Sequence, residues 1–265
     1  MTTSTPQQRQ HTRREPLPAP RTRNLFLFAG VAVLSGWVLL GIAIALQLPM
    51  EVFLLAVNFL GLLLPALLFT WREGGGAAVR RLLRDAVRLP AHWWWLPVAG
   101  LGLPAVVWAL SAALGAAQPL TLTVLGGFAV QLLSSWLIIN IWEETAWTGY
   151  FQRRAMVRWG TIAGSSLTAL MFAAIHLPLA FAGGNVLINI ASLLVAGFGL
   201  RPMIAGVDRW TGGSLLTVGL LHASFNATPA LIDPSYDWVR LVVTLLAGVA
   251  AGVALQRQGA RSTQP

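Results

Sequence analysis

The chain has no cysteine, all eighteen of its basic residues are arginine, and only 10% of its 265 positions are charged. Without cysteine there is no disulfide framework, thiol nucleophile or thiolate metal site, and no residue for prenylation or palmitoylation. So little charge beside 56% hydrophobic residues, with mean hydropathy +0.67, excludes an ordinary soluble domain. The net charge of +9 does not describe a nucleic-acid-binding face, because the arginines fall in short clusters between apolar runs. Such clusters set orientation in a membrane. Any chemistry must use Glu, His, Asp, Asn, Ser or Thr.

What is present is a series of long apolar segments. Residues 1–23, rich in Pro, Gln, Thr and Arg, read as a disordered basic cytoplasmic tail. The apolar run that follows is too long for the core of a signal peptide. Eight segments can cross a hydrocarbon layer, which takes roughly 20 helical residues each. They lie near 24–46, 51–71, 96–116, 119–150, 161–182, 184–206, 211–231 and 236–256, within a helical domain of 24–256, and a short tail of 257–265 follows. The fold class is an all-α polytopic membrane protein, a bundle of about eight transmembrane helices.

Arginines occupy the tail, the links after spans 2 and 4, the flanks of the link after span 6 (Arg201 and Arg209) and the end after span 8. The alternate links carry none. This pattern places both termini in the cytoplasm of a multi-pass protein of the cell membrane. Residues 72–95, arginines followed by HWWWLP, read as a cytoplasmic amphipathic helix leading into an interfacial tryptophan belt, with the lipid bilayer as its partner. Gly248 and Gly252 form a GxxxG pair suited to close helix packing. No internal repeat of the kind found in inverted-repeat transporters is present.

Four titratable side chains lie deep in the later spans: Glu143, Glu144, His176 and His222. An acid at the bilayer centre costs roughly 2.5 to 3.5 kcal/mol, so two adjacent acids need a cavity or partners. The RWGT turn at 158–161 lies almost midway between Glu143 and His176, so a helical hairpin brings both to similar depth. His222 sits about 15 Å inside its own span, in the same layer. His222 and Asn226 are i and i+4, on one helix face, as are Phe172 and His176. Glu143 and Glu144 point about 100° apart, so one works on a substrate while the other supports it.

EETAW at 143–147, FxxxH at 172–176 and HxxxN at 222–226, in that order, resemble the three motifs of the CPBP intramembrane proteases, also called the Abi or CAAX prenyl protease family. The resemblance covers roughly 119–230. It implies an intramembrane endopeptidase acting on a membrane-associated peptide or protein. In that role Glu143 and His176 would activate water, His222 and Asn226 would stabilise the oxyanion, and Glu144, Trp147, Thr148 and Phe172 would support them in a membrane-embedded cavity. The family's first motif is usually written EExxxR, and here Thr148 stands at the arginine position. Either another arginine reaches in, or Glu144 has a neutral partner, or activity has been reduced or lost.

The hydrolytic scheme needs no cofactor. A zinc or other divalent-metal version would use Glu143, His176 and His222 as ligands, although the HExxH pattern is absent. GGSL at 212–215 contains the GxS of a serine rhomboid, but His222 lies on the same helix, the wrong place for that base. Two other classes stay open: a non-catalytic immunity or scaffold protein of the same fold, and a small proton-coupled transporter.

Overall fold

The computed structural model of the protein describes residues 22–262; the expected tail, up to residue 21, lies outside them. Among the described residues there is no β-strand. Eight helical elements follow one another: α1 (Thr22–Ala45), α2 (Met50–Ala86), α3 (Trp95–Ala113), α4 (Leu122–Trp159), α5 (Thr161–His176), α6 (Val186–Trp210), α7 (Leu215–Ala227) and α8 (Asp237–Ser262). Side chains such as Leu122, Val130, Leu187 and Leu246 stand largely exposed on their outer faces. An apolar exterior of this kind suits lipid rather than water.

Seven of the eight expected crossings are helices long and apolar enough to span a membrane; the segment at 211–231 is shorter. Gly212 and Gly213 have φ of 70° and 81°, and Ser214 caps α7 by accepting from the Thr217 N–H, so the helix starts late. Pro229 lies in the 3-10 turn Thr228–Leu231 that ends it. Parity nonetheless requires α7 to traverse the bundle. Arg158 bonds to Thr22, and Gly252 packs beside Ile162, so both described ends of the chain lie at the end of the molecule that holds the Gly160 turn. Eight passages are needed to return there.

Small residues let the helices approach closely. A Cβ at Gly248 would collide with the Gly199 backbone, so α8 crosses α6 there with almost no separation, as the GxxxG spacing suggested. Gly160, at φ 85°, ends α4 and turns the chain into α5, and Gly164 then lies against the backbone of Ala155 and Met156. This is the hairpin read from RWGT.

The segment read as lying on the membrane surface also docks on the protein. Helix α2 breaks at Gly74 and Gly75, and residues 76–86 turn Leu82, Asp85 and Ala86 inward while Arg80, Arg81 and Arg84 face out. Arg153 of α4 joins Asp85 (2.7 Å) to Asp208 of α6 (2.6 Å), tying three helices at one end of the bundle.

Two apolar cores share α4. Its first half, with Phe128 and Leu132, packs with α3, α6, α7 and α8, and its second half, with Trp147, Tyr150 and Phe151, packs with α1, α2 and α5. Glu143 and Glu144 stand at the junction.

Candidate intramembrane site

Helix α4 is not a uniform α-helix around the glutamates. Wide π-helical stretches, Ser135–Asn140 and Thr145–Gln152, flank one α-turn, Ile141–Glu144. Such stretches are frequent at functional sites because they re-aim side chains. Here the turn sends the two acids to different partners.

Glu144 is fully buried and saturated. Arg201 of α6 donates to both of its oxygens at 3.0 Å, Thr148 donates from one turn along α4, and His222 Nδ1 lies 2.7 Å from Oε1. A bidentate arginine and further donors are what a buried carboxylate needs to offset the loss of water. The Arg201 guanidinium also lies over the Phe172 ring, 4.2 Å from its centroid.

Glu143 is in a different state. Among the described residues it accepts one hydrogen bond, from Asn140 Nδ2 at 3.2 Å, and its Oε2 lies 3.9 Å from His222 Nδ1. Among the described residues no arginine holds it.

Phe172 organises the imidazoles. Its ring lies 4.5 Å from His176 and 5.5 Å from His222, centroid to centroid. His176 Nδ1 is 2.7 Å from the Phe172 carbonyl. A carbonyl only accepts, so Nδ1 carries the proton and Nε2 is left with its lone pair. By the same reasoning the His222 Nδ1–H is directed to Glu144.

Asn226 joins through Asn140, donating to its Oδ1 at 3.4 Å. It also lines a cavity of about 400 Å³ with Phe225, Asn189, Ser192 and Arg240. Trp147 packs edge-on to Phe172, fully buried. All eight residues singled out in the sequence therefore fall in one connected region. The zinc alternative fits less well: among the described residues no three His, Asp or Glu side chains are grouped to hold a metal ion.

The sequence reading missed two members. In the sequence Arg201 reads as a topology marker at the edge of a span, but α6 continues to Trp210 and carries it inside, where it is fully buried. Charge balance was the available signal, since a lone arginine in an apolar run and an acid lacking its motif arginine need each other. Asn140 carries no motif signal of its own, although it lies three residues before Glu143, on the same helix face.

These features define a multi-pass helical membrane protein with a buried cluster of Glu, His, Asn and Arg at its centre. Residues 125–228 match the family described as type II CAAX prenyl endopeptidase Rce1-like, a stretch holding Glu143, His176, Arg201, His222 and Asn226. No curated protein matches the chain.

Proposed function

We propose that the protein is an intramembrane endopeptidase of the CPBP/CAAX type, hydrolysing a peptide bond of a membrane-associated peptide or protein with water activated by Glu143 and His176. The observation that carries this reading is the division of labour between adjacent acids. Glu144 is saturated by Arg201, Thr148 and His222, whereas among the described residues Glu143 accepts only from Asn140 and keeps acceptor capacity for a water proton.

In this scheme Glu143 takes a proton from water while His176 Nε2 orients it, and the hydroxide adds to the scissile carbonyl carbon. The remaining N–H of the Asn226 amide stabilises the oxyanion, assisted by His222 when its Nε2 is protonated. Collapse of the adduct breaks the C–N bond, and the leaving amine takes the proton from Glu143. The cavity lined by Asn226, Phe225 and Arg240 offers a peptide room beside the proposed oxyanion donor. We further assign the arginine-bearing end, with both termini, to the cytoplasm of the cell membrane.

The test uses purified full-length protein and a membrane peptide. Glu143→Gln and His176→Ala should each lower cleavage by about 10²- to 10⁴-fold while circular dichroism and melting stay as in the wild type. Cleavage that persists in both variants overturns the reading. Proton conduction in liposomes by a wild type that cleaves nothing would favour the transporter class instead.

A further inference from the structure

We infer that Asn140 is a positioning residue that holds the proposed base, Glu143, and the proposed oxyanion donor, Asn226, in one register; the inference rests on the protease reading above. Asn140 is fully buried, and both ends of its amide are engaged. Nδ2 donates to Glu143 Oε2 at 3.2 Å, while Oδ1 accepts from the Ser135 hydroxyl at 2.6 Å and from Asn226 Nδ2 at 3.4 Å.

The chemistry of these partners fixes the amide's orientation. Turned over, Asn140 would set its oxygen against a carboxylate and its nitrogen against another amide nitrogen, losing both contacts. The same bond fixes Asn226: one N–H is directed to Asn140, and the second is left for a substrate carbonyl. Glu143 in α4 and Asn226 in α7 are thus two contacts of one rigid side chain.

The local backbone is built for this. In an α-helix, residues five apart point about 140° away from each other, so Ser135 could not reach Asn140. The π-helical stretch Ser135–Asn140 widens the turn to an i→i+5 pattern and brings them together. Asn58 of α2 pins the same stretch by donating to the Ile139 carbonyl at 3.1 Å. On the other side Gly219 of α7 lies against the backbone of Asn140 and Ile141. An amide braced from three directions does not wander, and reacting groups displaced by about 1 Å can lose 10²-fold in rate.

The experiment compares Asn140→Ala, Asn226→Ala, the double variant and Ser135→Ala in the full-length protein, reading kcat, KM and the melting temperature. Asn140→Ala should lower kcat about 10²-fold with KM within about twofold and the folded fraction unchanged. Because Asn140 acts partly through Asn226, the loss in the double variant should be smaller than the product of the single losses. Ser135→Ala, a milder change, should lower kcat by about fivefold at constant KM, and it carries the test if Asn140→Ala does not fold.

Wild-type kcat in Asn140→Ala or in Ser135→Ala, losses that multiply in the double variant, or a drop in rate matched by a drop in folded protein overturns the positioning role. Loss of cleavage in Glu143→Gln alongside any of these leaves the protease reading standing. A wild type that cleaves no membrane peptide removes both.

Discussion

Arg201 grips Glu144 from a different helix, through two hydrogen bonds of 3.0 Å, with both side chains fully shielded from solvent. In the EExxxR pattern the arginine follows its glutamate on one helix. Here position 148 is threonine, and α6 supplies the cation, so the charge of Glu144 is neutralised only when α6 is docked on α4. Thr148 still contributes, as a hydroxyl donor. Both of the first two explanations raised by the sequence, a distant arginine and a neutral partner, therefore apply together.

Removing that cation leaves a buried carboxylate without its partner, so Arg201→Leu should cost about 3 to 5 kcal/mol of stability. Denaturation in detergent micelles measures this. Glu144→Gln combined with Arg201→Leu should recover part of the loss, because no uncompensated charge then remains.

An arginine at position 148 should substitute for the distant one. On the Arg201→Leu background, Thr148→Arg lies i+4 from Glu144 and should raise the melting temperature. In the wild-type background the same change adds a second buried cation and should lower it. Opposite signs in the two backgrounds are the expected result, and equal signs would show that Arg201 is not the partner that matters.

Close approach between α7 and α4 sets His222 against Glu144. A Cβ at position 219 would come within 3.0 Å of the Ile141 backbone, which cannot yield as a side chain does. Gly219→Ala should therefore destabilise by about 1 to 3 kcal/mol and slow cleavage by shifting His222. Thermal unfolding and a rate assay on the same preparation test both effects.

Metal removal should not matter. The described acids and imidazoles are not grouped as a metal site. Dialysis against a chelator should leave the cleavage rate unchanged, with elemental analysis giving no stoichiometric metal. Loss of cleavage restored by zinc would reverse this conclusion.

How much of this was legible beforehand differs by level. The hairpin between Glu143 and His176 could be read because a glycine turn and two apolar runs fix depth along the membrane normal. The nearness of Phe172 to His176 followed from i, i+4 spacing alone. The length of α7 was overread, because a hydropathy window does not register that Gly212 and Gly213 turn with positive φ and delay the helix. Arg201 was misplaced for a related reason: arginine at a presumed span edge looks like a topology signal, and only the continuation of α6 to Trp210 moves it inside.

By itself, the sequence determined that this is a helical membrane protein, where its chemistry-bearing residues lie along each helix and which face they occupy. Apolar length and a period of 3.6 residues encode these properties locally. Only the tertiary structure decided that Arg201 meets Glu144, that Asn140 joins Glu143 to Asn226, and that α7 completes the eight passages. Those relations depend on which faces of different helices come together, which is set by backbone contacts such as Gly219 on Ile141 and Gly248 on Gly199 and by the need of each buried charge for a partner.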